Sequence, residues 1–413
     1  MVTLFYDAYR ILNKVYSDGA YLSQAINSVQ IEEKNRSKTT KICYGVLDRD
    51  IELEYYIDKL CSKKPKAAVR LMMKIAMYNI KFLSKKPYAV IDSMVELCKK
   101  MGKAGVSGFL NAVLRKFIDH KFKLPTDEVS ALSVKYSYPI FAVNSLLNSY
   151  GKNLAEEIMA YDEVKTFVRF AQNFDGANYL VNKGVFFKES PFVGLYETDG
   201  LKVDEDFRRG VFTFQSIGSV AICDVLDGGE KLLDACAAPG GKSVFLSGKF
   251  KDVVSCEIHP HRVELINNYA ERMGAKNVTA LNIDSSVFHE EFYQQFDAVL
   301  CDVPCSGYGT LKQNPDIKLR GERNISQLTD VQYKIITNCS QYVKSGGVLV
   351  YSTCSVFKEE NDLVVNKFLA KNKEFYICEI SSPLNGIRTD FGMQFLPNIS
   401  SGAGFYVSKL IKK

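Results

Sequence analysis

The chain reads as a multidomain protein: an all-α N-terminal domain over residues 1–125, a small α+β middle segment over 126–212 and a doubly wound α/β domain over 213–413. Three observations predict this. Up to Pro125, apolar residues recur at helical spacing and glycine is sparse. From about residue 213, short apolar runs alternate with amphipathic stretches, the pattern of a parallel sheet with crossover helices. Three of those runs end in segments rich in glycine, proline or cysteine, where open α/β sheets place their ligands.

In the first segment Val69, Met72, Ala76 and Ile80 make one apolar stripe, and Ile91, Val95, Cys98 and Met101 make another after Pro87. Such stripes are core, and no chemistry is assigned to them. Gly102 to Gly108 reads as a loop before a helical Phe109–Phe117. In the middle segment Ala142–Met159 is helical, and strand-like runs lie around Phe167–Phe170 and Gly184–Phe187. Turn signals at Asp175-Gly176 and Asp199-Gly200 break them. In the last segment the expected strands are Leu232–Ala235, Val253–Glu257, Val278–Asn282, Asp297–Asp302, Val348–Ser352 and Phe405–Leu410. The expected helices are Lys242–Lys249, Pro260–Met273, Ser326–Val343 and Glu359–Ala370, which together make a Rossmann-like domain.

The 413 residues suffice for two or three domains with real cores. The 11 cysteines are odd in number and scattered, with no C-x-x-C pair and no histidine cluster, which argues against a disulfide framework and against a metal site. Met1 to Tyr16 holds no signal-peptide core and no run is long enough to span a membrane, so the expected location is the cytoplasm. Net charge is +6 but uneven: residues 1–125 carry 23 Lys+Arg against 12 Asp+Glu, a balance of +11. A basic helical third points to a polyanion partner; ordinary solvated lysines are the plainer reading.

The first strand of the last segment runs into Cys236-Ala237-Ala238-Pro239-Gly240-Gly241-Lys242. Small residues let backbone approach a ligand, and a following helix offers free N–H groups. The run is neither the G-x-G-x-x-G fingerprint nor a P-loop. Glu257 ends the second strand, where an acid can take ribose hydroxyls. Asp284 follows the third and could accept from an adenine amine. Each acid alone is a surface or capping residue; at successive strand ends they make a nucleoside pocket. Cys305 follows Asp302-Val303-Pro304, and Cys354 follows Ser352-Thr353. A lone cysteine at a strand end is usually small buried filler, but two beside a glycine loop suggest a thiolate working next to a bound cofactor. Cys236 reads as pocket lining.

The segments Ala237–Lys242, Asp302–Gly307, Asn314–Lys318 and Tyr351–Ser355 with Glu359-Glu360-Asn361 resemble RNA cytosine-C5 methyltransferases over about residues 210–410. Ala20–Ser23, Tyr44–Leu47, Val95–Leu97 and Asn111–Arg115 resemble the NusB-like RNA-binding domain. Together they resemble the RsmB (Sun, Fmu) family of 16S ribosomal RNA methyltransferases. The resemblance implies S-adenosylmethionine as cofactor, held by Cys236 through Lys242, Glu257, Arg262, Asp284 and Asp302. It also implies Cys354 as nucleophile, Cys305 as the cysteine linked to product release, Asp302 as the group that hydrogen-bonds the base, and Lys242 beside them. Ribosomal RNA is the implied partner and a monomer the expected state, with no membrane and no metal. Phe395–Asn398 and Gly402–Tyr406 depart from the family's usual Pro-His and Asp-Gly-Phe-Phe. The chain has no tryptophan, so base stacking falls to Tyr, Phe or Arg.

A cysteine is what such chemistry requires. Carbon 5 of cytosine is too weak a nucleophile to take a methyl from a sulfonium, and a thiolate adding at carbon 6 creates an enamine that can. Three rivals stay open. One is a sister enzyme acting on tRNA or another rRNA site. Another is a non-catalytic RNA-binding or antitermination factor, against which the intact Cys354, Cys305, Asp302 and Lys242 speak. The third is an exocyclic-nitrogen methyltransferase, against which Pro304-Cys305 speaks.

Overall fold

A computed structural model of the chain describes residues 1–171 and 174–413. It divides into two compact units, one of Met1–Ala160 with Leu311–Gly321 and the other of Tyr161–Thr310 with Glu322–Lys413.

The first unit is helical: α1 (Val2–Asp18), α2 (Leu22–Ser28), α3 (Glu33–Asp48), α4 (Asp50–Leu60), α5 (Ala67–Lys81), α6 (Pro87–Lys100), α7 (Ser107–Asp119), α8 (Glu128–Tyr136) and α9 (Ile140–Ala160). Its core draws on residues from Leu4 to Phe117. The stripe expected over 69–80 is part of a broader apolar surface, because Leu71, Met73, Ile75 and Met77 of α5 are buried too. Lys74 on the same helix is buried against Asp50 at 2.5 Å and Glu54 at 3.1 Å, as a buried ammonium requires. Pro87 opens α6, where a missing N–H costs nothing. The expected helix 142–159 falls within α9, which is broken at Gly151 (φ 71, ψ 172), a conformation open to glycine.

Leu311–Gly321, which carries Asn314–Lys318, packs in this unit. Lys318 is buried and donates to the Asp48 carbonyl (2.8 Å) and its Oδ1 (3.0 Å), while Lys312 approaches the same carboxylate at 3.3 Å. Burial pulls the Lys318 ammonium down to about 8, against the opposing charge of Asp48. Burial would raise Asp48, but the two lysines outweigh it and hold the carboxyl below its usual range.

The second unit holds two sheets. The small one, β1 (Phe167–Phe170), β2 (Phe187–Glu189), β3 (Leu195–Thr198) and β4 (Phe212–Phe214), is antiparallel in the order β2-β3-β1-β4. It packs with α10 (Gly176–Asn182) around Val168, Phe170, Leu180 and Phe212. The strand expected at 184–187 begins only at Phe187, since Gly184 turns the chain at φ 64. Two short helices follow, α11 (Glu205–Arg208) and α12 (Ile217–Asp224).

The large sheet contains β5 (Gly229–Asp234), β6 (Phe250–Glu257), β7 (Val278–Asn282), β8 (Phe296–Asp302), β9 (Val343–Thr353), β10 (Phe375–Cys378), β11 (Ile387–Arg388), β12 (Met393–Phe395) and β13 (Phe405–Lys412). Strands β7-β6-β5-β8-β9 are parallel. The crossovers include α13 (Gly241–Leu246), α14 (Pro260–Arg272) and α15 (Arg323–Cys339). The last expected strand, 405–410, forms but runs antiparallel to β9, because the chain reverses after α16 (Asp362–Lys371) and β13 also pairs antiparallel with β10 and β12. The helix expected over 326–343 stops earlier, passing through a 3-10 turn at Ser340–Tyr342 into β9. Strand order reverses at β5, so the crevice between the ends of β5 and β8 is the switch point where such sheets bind ligands.

Candidate active site

Asp234, Asp302 and Thr353 close β5, β8 and β9, so their following residues converge on one edge of the sheet. The loop after β5 is tight: Ala237 N–H donates to the Cys256 carbonyl (3.0 Å) and Gly240 N–H to Ala237 (2.7 Å). Gly240 sits at φ 105, and a side chain there would be strained as well as crowded by Ile266 at 3.2 Å. A cleft is lined by Asp234, Cys236 to Pro239, Gly241, Lys242 and Asp302 together with Phe214, Gln215, Ser216, Ser219 and Tyr269.

Lys242 and Asp302 form a partly buried ion pair at 2.6 Å. Burial alone would loosen the Lys242 proton, but the charge of Asp302 outweighs it and the ammonium is held more tightly than in water. The other Asp302 oxygen accepts from Ser352 Oγ at 2.7 Å. Both carboxylate oxygens are therefore fixed in direction. Asp234 is fully buried; one oxygen accepts from Ser243 Oγ at 2.7 Å, and the other has no hydrogen-bond partner in the structure. Burial pushes its carboxyl up to about 6.

Cys305 and Cys354, 49 positions apart, bring their sulfurs to 3.0 Å, and Cys354 N–H donates to the Cys305 sulfur at 3.3 Å. Cys305 is held well above the ordinary thiol range, first by its hydrogen bond with Cys354, then by burial and the charges around it. Burial likewise pushes the Cys236 thiol well up, which suits a lining residue.

The other expected cofactor residues stand outside the lining of that cleft. Glu257 is buried, accepts from His259 N–H at 3.0 Å, and pairs with Arg262 at 3.3 Å. Arg262 also reaches the Ala238 carbonyl at 3.4 Å. Asp284 accepts from the amide and hydroxyl of Ser286 at 2.9 and 2.7 Å. Sequence reading missed Gln215, whose amide donates to the Gly241 carbonyl at 3.0 Å and accepts from Arg169 at 2.6 Å. It also gave no role to Asp234, Tyr269 or Glu360. Among the described residues, no group of three or more His, Cys, Asp or Glu could hold a metal ion, and no helix is long and apolar enough to cross a membrane.

A model of the 16S rRNA methyltransferase RsmB/F family matches residues 224–411, and a NusB family model matches residues 7–119. The probable ribosomal RNA small subunit methyltransferase B of Bacillus subtilis (strain 168) is 31% identical, covering 97% of this chain and 96% of that protein. This chain belongs to the RsmB/F family. Ribosomal RNA small subunit methyltransferase B of Escherichia fergusonii is 28% identical over 98% of both chains. The crystal structure of PH0851 shares the fold over 100% of this chain and 98% of that one, with TM-score 0.84 and 23% identity. NSun6 from Pyrococcus horikoshii shares it over 67% of this chain and 99% of that one, with TM-score 0.59 and 18% identity. As a family member the chain is an RNA cytosine-5 methyltransferase that uses S-adenosylmethionine.

Proposed function

We propose that this enzyme methylates carbon 5 of a cytosine in 16S ribosomal RNA, working in the cytoplasm as a monomer, with Cys354 as the nucleophile. The observation that supports the reading is the pair of sulfurs 3.0 Å apart at the ends of β8 and β9, beside the cofactor cleft. By its position in the family's Thr-Cys motif, Cys354 is the sulfur that adds to carbon 6 of the base. Asp302, held by Lys242 and Ser352, would hydrogen-bond the base at its ring nitrogen, carrying the proton of that bond on its own carboxyl and so drawing electron density out of the ring as the thiolate adds. The target base has to leave its stack to reach a sulfur in this cleft. Cys305, beside the carbon–sulfur bond, serves the elimination that frees the product.

The cofactor fits the cleft at the switch point. Its lining combines small residues with aromatic Phe214 and Tyr269, and the unpartnered oxygen of Asp234 is an acceptor suited to a ligand ammonium. Cys236 through Lys242 would line the bound molecule, and Glu257, Arg262 and Asp284 would form the nucleoside end. The bound sulfonium supplies the methyl group. The +11 balance of residues 1–125 supports RNA phosphate binding by the helical region, which positions without specifying. Residues 126–212 would be a middle RNA-recognition segment and 213–413 the methyltransferase domain.

Bisulfite sequencing of 16S rRNA incubated with the enzyme and S-adenosylmethionine tests this reading. One protected cytosine is expected, absent with Cys354→Ala. Protection found only in tRNA would move the substrate to the sister class.

A further inference from the structure

Glu360 is fully buried and plays no part in the chemistry described above. Four donors converge on its carboxylate. Ser306 N–H donates to Oε1 at 2.8 Å and the Gln332 amide to the same oxygen at 3.0 Å. Ser306 Oγ and Ser355 Oγ each donate to Oε2 at 2.5 Å. Ser306 and Ser355 are the residues directly after Cys305 and Cys354. One side chain therefore grips both cysteine-bearing loops at the same offset from the reacting sulfur. Gln332 donates in addition to the carbonyl of Pro304, just before Cys305, at 3.0 Å. The glutamate itself is anchored from behind, since Tyr351 Oη donates to its carbonyl at 2.6 Å.

We propose that Glu360 is a positioning residue, holding Cys305 and Cys354 at reacting distance by clamping the serine that follows each of them. The proposal rests on the reading of the two cysteines as the reaction pair. A carboxylate suits the task because it is acceptor-only with about four lone-pair sites, all of which these donors fill. Glutamine offers one acceptor end and a donor end, and the latter would face two hydroxyls that now donate. Glu360 also lies near enough for its charge to help Cys305 keep its proton. The geometry predicts that losing the clamp separates the sulfurs before it disturbs the cofactor cleft, whose lining does not include Glu360.

The test uses the full chain with Glu360→Gln and Glu360→Ala, and with Ser306→Ala and Ser355→Ala as milder cuts of single strands of the clamp. Diamide, an azo oxidant that takes up two electrons and the two thiol protons, measures sulfur proximity without RNA. Peptide mapping then follows the 305–354 disulfide. Wild type is expected to close this disulfide readily, and Glu360→Gln to close it at least about tenfold more slowly, as proximity effects dictate. Methylation kcat should fall on the order of 10- to 100-fold in Glu360→Gln, with the KM for RNA and cofactor affinity within about twofold of wild type. The serine variants should shift both readouts in the same direction by less. Should Glu360→Ala fail to fold, the glutamine and serine variants carry the result. A wild-type disulfide rate in folded Glu360→Gln overturns the clamp, whatever happens to kcat, and so does failure of the wild-type chain to form the 305–354 disulfide. Methylation that survives in Cys354→Ala would instead sink the reaction-pair reading, while the disulfide rates would still judge Glu360.

Discussion

Two sulfurs 3.0 Å apart at the ends of β8 and β9 can be told apart by removing each in turn. Cys354→Ala should fold and bind cofactor and RNA but form no covalent adduct. Cys305→Ala should attack and then stall, leaving an enzyme–RNA adduct that survives denaturing electrophoresis. The reverse pattern would exchange the roles. A second prediction concerns Asp234. Its carboxyl is raised from 3.8 to about 6 by burial. Between those values the folded chain holds more protons than the unfolded one, so stability falls as pH rises through that window. Asp234→Asn removes the cost and should be more stable at pH 7–8 by on the order of 1–3 kcal/mol, a gain that shrinks toward pH 4. The same variant should bind S-adenosylmethionine more weakly, a trade typical of functional sites. Thermal melts against pH would find an unchanged difference if the carboxyl were not raised. Lys242, Asp302 and the cysteines were legible because short contiguous motifs carry them. Glu360 was visible only as part of a motif, because its partners Ser306 and Gln332 lie 54 and 28 positions away and only the folded sheet brings them together.

Each strand end is one element's contribution to the cofactor cleft, and the parallel register decides which residues share it. Asp234 of β5 pairs with Ser255 of β6, so Glu257 stands beyond Asp234, one strand over. Arg262 and the His259 amide already occupy part of its carboxylate and set its direction. Glu257→Ala should weaken S-adenosylmethionine binding by on the order of 1–3 kcal/mol, the loss of a charged hydrogen-bond partner. Unchanged affinity by calorimetry would remove Glu257 from the site. Strands β8 and β9 were readable because Ala298–Cys301 and Leu349–Tyr351 are buried and appear as continuous apolar runs, whereas β7 at the sheet edge has no buried residue and shows only its β-branched start. The antiparallel half was harder. Strands of two to four residues such as β10, β11 and β12 leave no period to detect; β10 and β12 pair with β13, and β11 with β12. The break in α9 was missed because one glycine in an apolar helical pattern does not announce a turn.

At the scale of the whole molecule, charge is the property that the fold redistributes. The +11 of residues 1–125 was visible in the sequence, but not which lysines remain available. Several do not: Lys74 and Arg70 are tied to Asp50 and Glu54, and Lys81 pairs with Glu52. In contrast, Lys38, Lys41 and Lys85 line one hollow in the helical unit, over Leu4 and Leu83. Burial, and after it the charge of Lys38, pulls the Lys85 ammonium below its usual value. A cluster of this kind is stabilised by a polyanion and releases counterions when one binds. Charge reversal at all three, Lys38→Glu with Lys41→Glu and Lys85→Glu, should weaken binding to ribosomal RNA fragments about equally across sequences. It should also reduce the slope of log K against log salt by about one for each phosphate that is no longer neutralised. Cofactor affinity and the Cys305→Ala adduct at saturating RNA should be preserved, because the hollow and the sulfur pair belong to different units. A folded triple variant that binds RNA with the wild-type salt slope would show that the hollow is not where phosphates sit, and would assign the basic helical region a task other than gripping RNA.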